Sequence, residues 1–85
     1  MRISETITSL NILARNIWWT WNQDARDIFG ELSSRTWQNV YHNPVAVLRE
    51  ISETELRTRL LDPNYYSKVN RVLLDFDNYM NPGDT

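Results

Sequence analysis

The sequence predicts an all-α fold, a small helical bundle with two longer terminal helices and short helices between them. Apolar residues recur at steps of three and four near both ends of the chain, which is the spacing of one helix face. No segment alternates between apolar and polar residues for long enough to predict a strand. With only 85 residues there is room for one core, so residues 1–85 are predicted to form a single domain.

The first predicted helix runs from about Ser4 to Trp19–Trp21. At about 100° per residue, Trp18 flanks the inner face of this helix, and Ile12 and Trp19 share a line on the opposite side. This helix therefore has two apolar faces. Either the short helices cover both of them, or Ile12 and Trp19 form an exposed contact patch. The predicted inner face consists of Ile3, Ile7, Leu10, Ala14, Ile17 and Trp21.

Polar capping residues mark the starts of the following helices. Asn22 is a predicted N-cap, followed by Asp24 and Asp27, whose carboxylates suit the positive end of a helix dipole. Ser33 and Ser34 restart the chain into a short helical turn. The inward residues of the second helix are predicted to be Ala25, Ile28, Phe29 and Leu32, and those of the turn Trp37, Val40 and Tyr41.

The second half of the chain repeats these signals. Asn43 and Pro44 predict a corner and a helix start, and Ser52 with Glu55 matches a capping box. Asp62 precedes a proline that begins the last helix, which ends at about Met80, before Asn81-Pro82-Gly83. We expect the first and last helices to pack antiparallel. The predicted inward residues are Val45, Val47, Leu48, Ile51, Leu56, Leu60, Leu61, Tyr65, Tyr66, Val69, Val72, Leu73, Phe76 and Met80, with Leu74 well away from them.

Composition excludes several classes of function. The chain has no cysteine and one histidine, so disulfides, Cys-based zinc sites and His-only metal sites are excluded. A net charge of −2 without a basic face argues against nucleic-acid binding, and no apolar run is long enough for a signal peptide or a membrane span. We therefore expect a cytoplasmic protein.

The residues of the chain predict no catalytic site. Phosphate-binding and nucleophile motifs are absent. The acidic pairs Asp24/Asp27 and Asp75/Asp77 are interpreted as solvated helix faces, and His42 as a hydrogen-bonding group at the Asn43 corner.

A resemblance to a known family adds to this interpretation. Leu13-Ala14-Arg15-Asn16-Ile17-Trp18-Trp19-Thr20-Trp21-Asn22, then Trp37 and His42-Asn43-Pro44-Val45 with Leu48, resemble the N-terminal helical domain, of unknown function, of bacterial and archaeal α-glucan (glycogen or maltodextrin) phosphorylases. The resemblance extends through Asp62-Pro63 to the run from Arg71 to Asp77. Gln23 departs from it, because the family often has proline there.

The resemblance implies a segment excised from a much longer enzyme. Such phosphorylases use pyridoxal phosphate and inorganic phosphate to release glucose 1-phosphate from α-1,4-glucans. The only lysine here, Lys68, does not lie in a cofactor motif of that family, so no cofactor or catalytic residue is expected in this segment.

Two functions of different classes follow from the resemblance. The domain either docks on the catalytic region or on a neighbouring subunit of an oligomer, or it binds α-1,4-glucan by stacking a tryptophan on a sugar ring. A small-molecule regulatory site is a third, smaller candidate. The candidate contact residues are Ile12, Trp18, Trp19, Asn22, His42 and Asn43, with Leu74 as an additional docking residue.

Overall fold

Five α-helices and one 3₁₀ turn make up residues 3–32 and 43–83, which are the residues that the computed structural model describes. No strand occurs in these two ranges, and the first and last helices are the longest, so the predicted all-α class is confirmed. The predictions for Ser33, Ser34, Trp37, Val40, Tyr41 and His42 lie outside the described residues. The elements are α1 (Ile3–Ala14), the 3₁₀ turn (Ile17–Thr20), α2 (Gln23–Leu32), α3 (Pro44–Glu50), α4 (Glu53–Leu60) and α5 (Pro63–Met80).

The predicted helix starts are confirmed by their hydrogen bonds. Side-chain oxygens of Asn22, Asn43 and Asp62 each accept a backbone N–H from the first turn of the next helix, at 3.0–3.1 Å. The Ser52 hydroxyl accepts the Glu55 N–H at 3.1 Å, which is one half of the predicted capping box. These bonds satisfy N–H groups that have no partner within their own helix.

The first helix ends earlier than predicted. Backbone N–H groups of Arg15 and Asn16 bond to carbonyls three residues back, which closes α1. Asn16 is then extended (φ −101°, ψ 139°), and its side chain accepts the Trp18 N–H at 2.8 Å. Because Asn16 caps a new 3₁₀ turn in this way, the regular helical spacing does not continue past Ala14.

This break reverses the predicted inward and outward positions around the tryptophans. Trp18 and Trp19 are both buried, whereas Ile17 and Trp21 are 66% and 63% exposed. The prediction that Ile17 and Trp21 face the core was therefore wrong, and of the two alternatives left open for Trp19, exposure in a contact patch is the wrong one. The physical reason is that the prediction assumed one unbroken helix with a rotation of about 100° per residue.

The terminal helices run in the same direction, so the expected antiparallel packing was also wrong. Thr6 lies beside Tyr66 and Asn70 near the starts of both helices, and Ile12 lies beside Met80 near their ends. The 3₁₀ turn reverses the chain, so α2 runs opposite to α5 and the chain turns back again before α5 begins.

The core lies where α1, α2 and α5 meet, with contributions from the short helices. Leu61 and Met80 were predicted to face it and do not, since they are 66% and 51% exposed. Leu61 follows the last residue of α4, and Met80 is the last residue of α5, so each lies where its helix ends. The fully buried side chains of the described residues are Leu10, Leu13, Ala25, Ile28, Phe29, Leu60, Val69 and Val72.

Candidate functional site

Four exposed apolar side chains form two pairs near the ends of α1 and α5, and the pairs are linked by the consecutive residues Tyr79 and Met80. Ile12 and Met80 line one groove between these helices, of about 230 Å³. Tyr79 precedes Met80 in the sequence. Its ring packs edge-to-face on the Trp21 ring, with 6.2 Å between the ring centroids. We call Ile12, Trp21, Tyr79 and Met80 the apolar patch. Their exposed fractions lie between 44% and 63%, so a large part of each side chain is open to contact.

Buried groups hold the patch in place from beneath. The Trp18 ring lies 5.3 Å from Phe76 and 6.0 Å from Tyr79, measured between ring centroids. The Asn16 amide contacts the Met80 sulfur at 3.7 Å, so the residue that starts the 3₁₀ turn also touches the patch. Packed side chains of the core therefore support the patch.

The predicted contact residues are not brought together as one surface. Ile12 belongs to the apolar patch, but Trp18 and Trp19 are each only 7% exposed. Trp19 packs edge-to-face on Phe29, with 6.1 Å between the ring centroids. The rings of Trp18 and Trp19 are therefore core side chains that a sugar ring cannot reach from solvent.

The polar candidates act in helix capping. Asn22 is half-buried, and its side-chain oxygen accepts the Ala25 N–H. Asn43 is exposed, and its side-chain oxygen accepts the Ala46 N–H. His42 lies outside the described residues. Leu74 is 58% exposed as expected, in a shallow groove with Thr6, Ser9 and Asn70.

Sequence reasoning missed Trp21, Tyr79 and Met80 as surface residues. One signal was available, because Asn16 is a residue type that commonly caps helix starts and stands in the middle of the supposed first helix. A new start at Asn16 would have reassigned Trp21. The exposure of Tyr79 and Met80 depends on where α5 extends beyond its neighbours, and periodicity does not specify that.

A polar cluster closes the other end of the bundle. The buried Tyr65 hydroxyl donates to the Ile28 carbonyl at 2.8 Å, and the Arg59 guanidinium donates to the Glu31 carbonyl. The Lys68 ammonium lies 2.9 Å from the Glu31 carboxylate. These bonds bring donors to carbonyls of the last turns of α2, where positive charge is favourable. The cluster thus fixes α2 against α4 and α5.

Burial of Tyr65 raises the pKa of its phenol well above the usual range, which keeps the hydroxyl protonated as a donor. The hydrogen bond from Lys68 to Glu31 raises the pKa of that ammonium. Lys68 thus serves as the ion-pair partner of Glu31 at the surface of the bundle.

The described residues show no arrangement for acid–base or metal chemistry. Asp75 and Asp77 are exposed and Asp24 and Asp27 are half-buried, with Asp27 accepting a hydrogen bond from Gln23. Within residues 3–32 and 43–83 there is no group of three or more potential metal-ligating side chains. In the same ranges, no helix has the length and apolar character required to cross a bilayer.

Comparison with known proteins agrees with the sequence resemblance. The maltodextrin phosphorylase of Thermococcus litoralis is 31% identical over 84 residues, which are 99% of this chain and 10% of that protein. The glycogen phosphorylase of Aquifex aeolicus is 33% identical over 69 residues, covering 81% of this chain and 10% of that protein. The glycogen phosphorylase of Mycobacterium tuberculosis strain H37Rv is 24% identical over 78 residues, 92% of this chain and 9% of that protein.

The chain thus spans about a tenth of the length of these relatives, and the matches fall in their N-terminal regions. No solved structure matches it significantly. The family model described as "Protein of unknown function (DUF3417)" matches residues 3–84, which is nearly the whole sequence. The chain therefore belongs to the DUF3417 family, whose members include N-terminal segments of maltodextrin and glycogen phosphorylases.

Proposed function

We propose that this chain is a non-catalytic accessory domain at the N-terminus of a pyridoxal-phosphate-dependent α-glucan phosphorylase, and that it docks on the catalytic region or on a neighbouring subunit. The observation that carries the proposal is the match of almost the whole chain to a tenth of each phosphorylase. The parent enzyme would be a cytoplasmic glycosyltransferase that converts α-1,4-glucan and inorganic phosphate into glucose 1-phosphate.

The apolar patch supports docking as the role of this segment. The largest apolar patch on the surface of a small protein is often a contact site. The patch holds a tryptophan, a tyrosine and a methionine, which are residue types enriched in the cores of protein interfaces. The same surface lacks the paired, buried acids and bases that catalysis uses.

The experiment compares the full-length enzyme with a variant that lacks residues 1–81. Glucose 1-phosphate release, the oligomeric mass and the melting temperature are measured for both proteins. We expect a lower melting temperature or an altered oligomeric mass, together with retained catalysis of phosphorolysis. A deletion variant with unchanged melting temperature, mass and activity would refute docking, and phosphorolysis by the 85-residue chain alone would refute its non-catalytic role.

A second candidate function, binding of α-1,4-glucan, has support from one residue. Trp21 is 63% exposed and stands beside Tyr79, so its ring is open to a sugar that stacks on it. The test is an NMR titration with a linear maltooligosaccharide that follows the four indole N–H signals. Saturable shifts centred on Trp21, lost in Trp21→Ala, would support glucan binding, and no shift at millimolar sugar would exclude it.

A further inference from the structure

We propose that the apolar patch is covered by the catalytic region that follows this domain in the same polypeptide, so that docking is intramolecular. The inference rests on the proposed function, and it specifies which face docks and what covers it.

The position of the last helix supports the catalytic region as the cover of the patch. The last helix, α5, ends at Met80, which is itself a patch residue. The Asn81 N–H bonds back to the Asp77 carbonyl, and Gly83 takes a positive φ of 73°, so the chain turns at once after the helix. In the relatives, about nine-tenths of the polypeptide lies outside the matched segment, and the match is N-terminal. The last described residues, 81–83, therefore leave α5 directly beside the patch.

The size of the patch also favours a tethered partner. If a large side chain exposes about 200 Å² when free, the four exposed fractions correspond to about 400 Å² of apolar surface. A stable complex between separate proteins buries about 800 Å² on each partner, so the patch alone is too small to hold a second copy. A short covalent connection supplies an effective concentration in the millimolar range, which makes a surface of this size sufficient.

The test is oxidative footprinting of Met80 in the full-length protein. Hydrogen peroxide oxidises exposed methionine to its sulfoxide, and mass spectrometry of the Met80 peptide gives the rate. The reference is the same protein in concentrated guanidinium chloride. An exposure of 51% alone predicts oxidation about twofold slower than the reference, whereas a covered side chain predicts slowing of at least about tenfold.

Dilution to a concentration at which light scattering reports a monomer distinguishes cover by the same polypeptide from cover by a second subunit. Tenfold protection that persists in the monomer supports intramolecular docking. Protection that disappears in the monomer overturns it in favour of a second subunit. Protection of only about twofold overturns the patch as a docking face. Phosphorolysis is measured on the untreated full-length protein before peroxide is added, so an active but unprotected enzyme refutes only this inference, whereas an untreated protein that catalyses no phosphorolysis refutes the proposed function.

A matched pair of variants locates the covered surface. Trp21→Asp places a charge in the patch. Leu61→Asp places a charge at a position of similar exposure, just before the start of α5. Neither side chain belongs to the buried core, so both variants should fold. We expect Trp21→Asp to restore rapid oxidation of Met80 and Leu61→Asp to leave its protection unchanged. Unchanged protection in Trp21→Asp would contradict the assignment of this face.

Discussion

Trp19 and Trp21 stand two positions apart, and the structure predicts opposite consequences when each is truncated to alanine. Trp19 is 93% buried and Trp21 is 37% buried, taking the complements of their exposed fractions of 7% and 63%. With about 200 Å² for a whole aromatic side chain and about 25 cal/mol per Å², the buried area corresponds to at most about 4–5 kcal/mol for Trp19 and about 2 kcal/mol for Trp21. Truncation of a buried tryptophan costs about 3–5 kcal/mol, which agrees with the first figure.

Urea denaturation of the 85-residue chain, followed by far-UV circular dichroism, measures both free energies of unfolding. A domain of this length has a total stability of only about 4–13 kcal/mol, from roughly 0.05–0.15 kcal/mol per residue. Trp19→Ala should therefore shift the midpoint far toward zero urea, and Trp21→Ala should shift it by less than half as much. If Trp19→Ala is unfolded in water, Trp19→Phe gives a smaller, measurable loss. Equal losses for the two alanine variants, or a larger loss for Trp21→Ala, would refute the helix break at Asn16.

Further predictions concern the cap and the buried phenol. Asn16→Ala should cost about 1 kcal/mol because it removes the cap on the Trp18 N–H, while Asn16→Asp should retain most of the stability, as read by urea denaturation. Tyr65→Phe should cost about 1 kcal/mol at neutral pH through loss of the hydrogen bond to Ile28. The pKa of Tyr65 is raised in the folded state, so its contribution is complete below the unfolded pKa of about 10 and falls by about 1.4 kcal/mol per pH unit above it. The raised pKa of Lys68 also lowers the free energy of unfolding as the pH rises. Because Tyr65→Phe removes the tyrosine contribution, the free energy of unfolding of this variant should fall less steeply with pH above about 10.

Local chemistry made most of the elements predictable. Asn22, Asn43, Ser52 and Asp62 each form the predicted cap, because the bond joins a side chain to a backbone N–H only two or three residues away. Proline after Asn43 and Asp62 fixed the same starts independently.

The candidate site was less predictable because it depends on the early end of the first helix before Asn16 and on how the helices pack. The break at Asn16 places Trp18 against Phe76 and Trp19 against Phe29, and such contacts between distant parts of the chain can override local helix propensity. The parallel direction of α1 and α5 depends on where the chain reverses between helices, and the spacing of apolar residues does not predict that. For this reason Trp19 is buried although the helical periodicity placed it opposite the inner face, whereas Ile12, which precedes the break, is exposed on the side that the periodicity predicts.

An experimental structure of the full-length enzyme would decide whether this chain docks on the rest of a larger phosphorylase. The quantity to measure is the exposed fraction of Ile12, Trp21, Tyr79 and Met80, which here lies between 44% and 63%. All four are expected to become buried against the catalytic region of the same subunit, while Leu61, at the other end of α5, remains accessible. Four side chains that stay as exposed as they are in the isolated domain would contradict this expectation.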